Sequence, residues 1–549
     1  MKLSILLIAI SVMLLAQGEP HAVQSVLQEP LTGPDVAAEQ IRQYLLPKVQ
    51  RLDKPATSAE WRARADVLRR HIIDEVLLRG WPKDWVDAPA NFVPVGNPVK
   101  MNGYMRQKLR FEIVPGFFSV ALLYLPEEIP SKAPAILNVN GHSRQGKAEE
   151  YLQKQNINFA RKGFVSLTPE WPGMGELSQS ENNHFYAAHL ELSGMNAAGL
   201  FYLSLRKTLD YLAGRPDVDA SRIGMTGLSG GGWQTILLSA LDERIAASIP
   251  VAGFSSVVSR LERGSDIGDV EQNPTDFYLH NDYTFLTALL APRPALLIYN
   301  AEDDCCFRGP LVKSYVYDAA VPFYGLFNAS ERFGWYDNTT IRNHNYGKDN
   351  RELSYRFFAN HLNLPVSMEE IPVSAEIGTM EALRVGIPED NLTLLGLARL
   401  SAARIQQPTP AREQLRETVR FQETGVRHAW AVRNTYRDGV ESIGYRFDFT
   451  VGPGASGVWL RSAEAEPTGA TVVLNDGGKM KAGREAAARM VRGDVVIAAD
   501  LLFTGDMLPR DPGPLGFAQL IAALGDRPLG LETAQLIAIA RWLRRDMPE

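Results

Sequence analysis

At 549 residues the chain is too long for one ordinary hydrophobic core, and two or three domains are expected. Its apolar fraction of 45% and charged fraction of 22% are those of a soluble globular protein, which excludes global disorder. A formal net charge of −6 without lysine/arginine blocks argues against a nucleic-acid partner. No Cys/His cluster has metal-ligand spacing, so neither a metal nor another cofactor is expected.

Met1-Lys2 is a short positive start, Leu3 to Leu15 is apolar apart from two serines, and Ala16-Gln17-Gly18 is a small-x-small site. This reads as a secretory signal peptide over residues 1–22, hence a secreted or periplasmic protein with no other membrane segment. No cysteine follows the apolar run, so a lipoprotein anchor is not supported. The two cysteines, Cys305 and Cys306, are neighbours that can pair only through a strained vicinal ring. Two buried thiols shaping a loop are favoured over that disulfide, although an oxidising compartment argues for pairing.

Residues 23–104 read as a helical N-terminal segment. Ile41, Tyr44, Leu45 and Val49, then Trp61, Ala65, Leu68, Ile72 and Val76, recur at helical spacing before Gly80-Trp81-Pro82 closes the run. Strand character starts near Met105, with Lys108 to Ile113 and Phe118 to Leu125 flanking a Pro115-Gly116 turn. From Ala133 buried strands alternate with helices, the pattern of a parallel α/β sheet spanning a domain of 105–365. Its strands are Ala135–Val139, Phe164–Leu167, Ser221–Thr226, Ala246–Val251 and Ala295–Tyr299. Its helices lie near 149–162, 197–213 and 351–362. Residues 253–283, including Asp276-Phe277-Tyr278, interrupt the strand pattern and are expected to cap the pocket.

Residues 366–439 read as linker and surface helix, and 440–549 as a partial repeat. Arg446-Phe447-Asp448-Phe449 echoes Arg110-Phe111-Glu112-Ile113, and Val472 to Gly477 echoes Leu137 to Gly141. Asp500 followed by Gly505-Asp506 keeps the spacing of Glu170 followed by Gly175-Glu176. The second copy stops where its own serine strand would begin, so it is read as non-catalytic.

Gly227-Leu228-Ser229-Gly230-Gly231 stands between an apolar strand and a helix, the setting of a nucleophile elbow. A serine hydroxyl needs a base to take its proton, and an imidazole does this best near neutral pH. His344 lies on a polar loop just before the closing helix and is the candidate base. Asp304, in Ala301-Glu302-Asp303-Asp304, is the first choice for the acid and Asp303 the alternative; Glu302 is read as solvated. The N–H groups of Gly230 and His142 are the expected oxyanion donors. Gly141, Glu170, Trp171 and His280 are candidates for the substrate pocket.

In order and spacing, Asn140-Gly141-His142, Glu170 to Glu176, Gly227 to Gly231, Asp303-Asp304 and His344 resemble the α/β-hydrolase superfamily. The branch most similar holds acetylxylan esterases, dienelactone-hydrolase-like proteins and the catalytic domain of prolyl oligopeptidases. The resemblance implies an α/β-hydrolase fold with a C-terminal partial repeat. It also implies hydrolysis through an acyl-enzyme on Ser229, His344 moving the proton and an aspartate holding the imidazole. Asn140 stands where a histidine is common in that branch, and Cys305-Cys306 where a valine-type residue often packs. The expected activity is that of a secreted carboxylic-ester hydrolase, with acetyl or other acyl esters of polysaccharide as candidate substrates. The alternatives are a serine peptidase of the prolyl oligopeptidase type and a binding protein that kept the fold and lost turnover.

Overall fold

The computed structural model describes residues 22–129, 131–406 and 409–545, and the chain divides into two compact units. One comprises residues 50–406. The other joins residues 22–49 to residues 409–545. The expected signal peptide falls, but for its last residue, outside the described residues. Among the described residues no helix is long and apolar enough to cross a membrane.

The larger unit is built on nine strands: β1 Phe92–Met101, β2 Tyr104–Val114, β3 Phe117–Pro126, β4 Ala133–Val139, β5 Val165–Pro169, β6 Val218–Leu228, β7 Ile245–Val251, β8 Ala295–Asn300 and β9 Phe333–Asn338. They lie in the order β1-β2-β3-β5-β4-β6-β7-β8-β9. β1, β2 and β3 are antiparallel and β3 meets β5 antiparallel, whereas β5, β4, β6, β7, β8 and β9 run parallel. Every residue of β4 and β5 is buried, as expected of strands covered on both faces.

Five helices of this unit matter below: α1 Ser58–Arg70, α2 Glu150–Arg161, α3 Ala198–Gly214, α4 Gly230–Leu241 and α5 Lys348–His361. A capping box of Thr57 and Glu60 opens α1. Its buried Arg69 donates to the carbonyls of Ala240 (2.9 Å) and Leu289 (2.8 Å), fastening the helix to the core. Every residue of α4 is buried, which accounts for its lack of a polar face.

The smaller unit carries β10 Val426–Arg437, β11 Val440–Phe449, β12 Ala455–Ser462, β13 Gly469–Val473 and β14 Asp494–Asp500, in the order β10-β11-β12-β14-β13. β13 and β14 are parallel and the other pairings antiparallel. This is the order and direction of β1-β2-β3-β5-β4. Helices α6 Gly483–Val491 and α7 Pro528–Arg545 flank the sheet.

Two expected boundaries change. The helical segment 23–104 is divided, because Val23, Val26, Leu27 and Leu31 join the core formed by Val458, Leu460, Val496 and Ala498 of the smaller unit. The end of that segment is β1 rather than helix. The stretch 366–439 is likewise no free linker. Val373 and Leu383 pack with Tyr104, Leu122 and Tyr124, and Asn391 bonds both backbone groups of Phe118, while β10 belongs to the second sheet. Apolar side chains too sparse to show a period still bury themselves when a sheet edge offers a surface.

Candidate active site

The loops that leave the C-terminal ends of β4, β6, β8 and β9 converge, the position where open α/β sheets bind ligands. Ser229 immediately follows β6 and is the residue before α4. It has φ 61° and ψ −123°, a conformation costly for any residue with a Cβ. The turn is held by Ser229 N–H donating to Val251 O (2.9 Å) and Ser229 O accepting from Trp233 N–H (3.0 Å). Glycines make it possible by close approach. A Cβ on Gly227 would lie 2.5 Å from Val139 O, and one on Gly141 would lie 2.5 Å from Leu228 O and 3.0 Å from Ser229 Cβ.

Ser229, His344, Gly141 and His142 line one cavity of about 550 Å³, together with Tyr151, Lys154, Cys305 and Arg351. His344 follows β9, whose existence gives no sequence signal because its residues are mostly half-buried. The His344 Nδ1 lies 2.8 and 3.0 Å from the two carboxylate oxygens of Asp303. Asp303 is buried and also accepts from the backbone N–H of Cys305 (3.0 Å) and Cys306 (3.1 Å).

Asp303, not the first-choice Asp304, is therefore the carboxylate on the imidazole. Asp304 is exposed and accepts from the His344 backbone N–H at 2.9 Å, so it shapes the loop. Adjacent residues on a turn point in different directions, and spacing alone does not reveal which faces inward. Glu302 is exposed and pairs with Arg342 at 2.6 Å. Burial pulls the His344 imidazole down, but the Asp303 hydrogen bond and the charges of Asp303, Cys305 and Asp304 outweigh it, and the net shift is upward. Cys305 and Cys306 are free thiols with sulfurs 3.0 Å apart, and Cys305 is exposed rather than buried.

His142 sits over the elbow: its Nδ1 lies 3.2 Å from where a Cβ on Gly230 would stand. Its Nε2 faces Asp269 (2.6 Å) and Glu271 (3.4 Å). Burial would lower this imidazole, yet the two carboxylates lift it to about 10. The neighbouring residues, His184, Asp269 and Glu271, are far from His142 in the chain and carry no sequence signal.

Three pocket candidates belong elsewhere. Glu170 is fully buried and bonds Lys147 (Nζ 3.0 Å, backbone N–H 2.8 Å) and the Glu176 N–H (3.1 Å), so it ties the loops after β4 and β5 together. Trp171 is buried beneath the elbow, where a Cβ on Gly230 would meet its ring at 2.4 Å, and it packs on His142 and His184. His280 is exposed and makes an edge contact with His71. Nor does Asp276-Phe277-Tyr278 cap the cavity: Asp276 pairs with Arg79 at 2.6 Å while Phe277 and Tyr278 are buried.

A mostly parallel sheet with a serine on a strained strand-to-helix turn and an aspartate–histidine pair at the neighbouring strand ends defines the α/β-hydrolase class. Residues 101–277, within the nine-stranded unit, match the model of the acetyl xylan esterase (AXE1) family. The Bacillus subtilis (strain 168) protein YtaP is 25% identical over 195 residues, 32% of this chain; the match spans 63% of YtaP. Among solved structures, methylesterase BT1017 is 24% identical with a TM-score of 0.49, over 70% of this chain and 81% of that one. A glucuronoyl esterase from Solibacter usitatus is 16% identical with a TM-score of 0.41, over 58% of this chain and 99% of that one.

Proposed function

We propose that this chain hydrolyses carboxylic esters through an acyl-enzyme on Ser229. The observation that carries the reading is the Asp303–His344 pair opening onto the same cavity as a serine held on a strained elbow. In this mechanism His344 takes the Ser229 proton as Oγ attacks the ester carbonyl, and Asp303 holds the imidazole with its Nδ1–H outward from the serine. The Gly230 N–H meets the developing oxyanion, with His142 as its neighbour. His344 then protonates the leaving alcohol, and a water activated by the same imidazole releases the acid and restores Ser229.

Acetyl or other acyl esters of polysaccharide are the proposed substrates, and the family match over residues 101–277 supports esters over peptides. The five-stranded unit is read as a partial, non-catalytic copy of the first five strands, supported by its matching strand order. The sequence of residues 1–22 supports export to the periplasm or medium.

The test is covalent labelling of purified protein by a fluorophosphonate, followed by a panel of acetylated glycans, aryl esters and proline-containing peptides. Labelling at Ser229 with turnover of esters is expected. Absence of label on native protein rules out the enzyme reading, and turnover of peptides alone replaces it with the peptidase. Cell fractionation with N-terminal sequencing of the exported chain checks the location.

A further inference from the structure

Beside the elbow four potential ligands from distant parts of the chain converge: His142 from the loop after β4, His184 from a turn, and Asp269 and Glu271 from the segment after β7. Their donor atoms all lie within 4.8 Å of one another. The His142 Nε2 is 3.2 Å from the His184 Nδ1 and 3.4 Å from Glu271 Oε1, and the His184 Nδ1 is 3.2 Å from Glu271 Oε2. A tetrahedral ion with ligands at about 2.0 Å separates its donors by about 3.3 Å. The two imidazole nitrogens stand at that edge, and each lies at a similar distance from one of the two Glu271 oxygens.

The orientations fit as well. His184 directs Nε2 at the Pro172 carbonyl at 2.7 Å, so the proton belongs there and the Nδ1 lone pair faces the centre. The Glu271 side chain is fully buried, and its two oxygens face the imidazole nitrogens of His142 and His184. A buried carboxylate between two imidazole nitrogens is stabilised by positive charge at the point between them, whether a proton on His142 or a bound ion. The fourth group, Asp269, is partly exposed, with 42% of its side chain accessible. It approaches His142 Nε2 at 2.6 Å, a hydrogen-bond distance that opens by a small swing when an ion replaces the proton. A cavity of about 170 Å³ lined by His142, His184 and Asp269 provides entry.

We propose that His142, His184, Asp269 and Glu271 form a binding site for a divalent transition metal, Zn²⁺ foremost. Two imidazoles and two carboxylates whose donor atoms lie within 4.8 Å of one another are a borderline N/O donor set that suits this ion better than Mg²⁺ or Ca²⁺. An ion on His142 Nε2 would leave the ring proton on Nδ1, the atom turned toward Gly230, so the site would set the tautomer of a residue at the elbow. The proposal stands independently of the ester-hydrolase reading, because its readout is binding.

The experiment strips the full-length protein with a chelator and titrates it calorimetrically with Zn²⁺ and, separately, with Co²⁺ while recording visible absorption. One equivalent of Zn²⁺ and a four-coordinate Co²⁺ spectrum are expected. His184→Gln and Asp269→Asn should each weaken binding by at least about 10–100-fold, and Cys305→Ser should leave it unchanged. Asp269 is partly exposed, so its variant keeps the test decisive should the buried His184 position fail to fold; circular dichroism checks both. No stoichiometric uptake by native protein, uptake that persists in a folded His184→Gln, Asp269→Asn double variant, or loss only in Cys305→Ser would overturn the site.

Discussion

The loops after β4 and β5 and those after β13 and β14 make the same structure with different acids. In the nine-stranded unit Lys147 Nζ meets Glu170 at 3.0 Å, while the Lys147 and Glu176 N–H groups donate to the two oxygens of Glu170. In the five-stranded unit Lys479 Nζ meets Asp500 at 3.1 Å, and the Lys479 and Asp506 N–H groups donate to Asp500 at 2.5 and 2.9 Å. Each lysine also reaches the second acid, Glu176 or Asp506. Gly175 and Gly505 adopt φ +49° and +50°, and a Cβ at either would strike the central carboxylate at 2.2 or 2.1 Å. The buried ion cluster recurs where the described residues contain no β6 counterpart and no serine elbow. It is therefore architecture, locking two loops across a parallel strand pair, and the serine elbow and the Asp303–His344 pair are added by the strands from β6 onward.

Removing the nucleophile tests that division most severely. Ser229→Ala should abolish fluorophosphonate labelling and cut hydrolysis of a p-nitrophenyl ester by about 10⁴-fold or more. Residual label on the variant would place a second nucleophile outside the elbow and break the comparison. Asp303→Asn should cost about 10⁴-fold in kcat by losing the imidazole's correct tautomer. Asp304→Asn, which keeps an acceptor oxygen for the His344 N–H and removes only an exposed charge, should cost less than about tenfold. Equal losses in the two would return the acid assignment to an open question.

The lysines sharpen the comparison through stability. Lys147→Met and Lys479→Met each strand two acids around a buried site, and each should lower unfolding free energy by about 3–5 kcal/mol in denaturant titrations. Only the five-stranded unit should be weakened by Lys479→Met, with the kcat of the native protein unchanged; a lost kcat would give that unit a catalytic share. The smallest effect is on pH. His344 must be neutral to accept a proton, and its pKa is raised, so the acid limb of kcat/KM should lie above the ordinary histidine value of about 6.5. Activity rises with pH through that limb. A limb at or below 6.5 would argue that the Asp303 contact is absent in solution.

Much of this is legible in the sequence. Strand–loop–helix context singled out Ser229, position before the last helix singled out His344, and the six-residue interval between acids linked Glu170–Glu176 to Asp500–Asp506. Those signals are local, because hydrophobic period and glycine placement depend on a few neighbouring residues. Lys147 and Lys479 were not legible, since nothing near them in sequence marks a lysine for burial.

The sequence by itself determined the alternating α/β architecture, the elbow and the loop histidine before the last helix of the larger unit, each written in a short stretch whose backbone demands are specific. Only the tertiary structure decided that Asp303 rather than Asp304 turns toward the imidazole, and that Glu170 and Trp171 support the site from beneath. It alone brought His142, His184, Asp269 and Glu271 to one point, and assigned residues 22–49 to the second sheet. Side-chain direction on a turn and convergence of distant loops are set by packing over the whole sheet, a quantity no window of neighbouring residues contains.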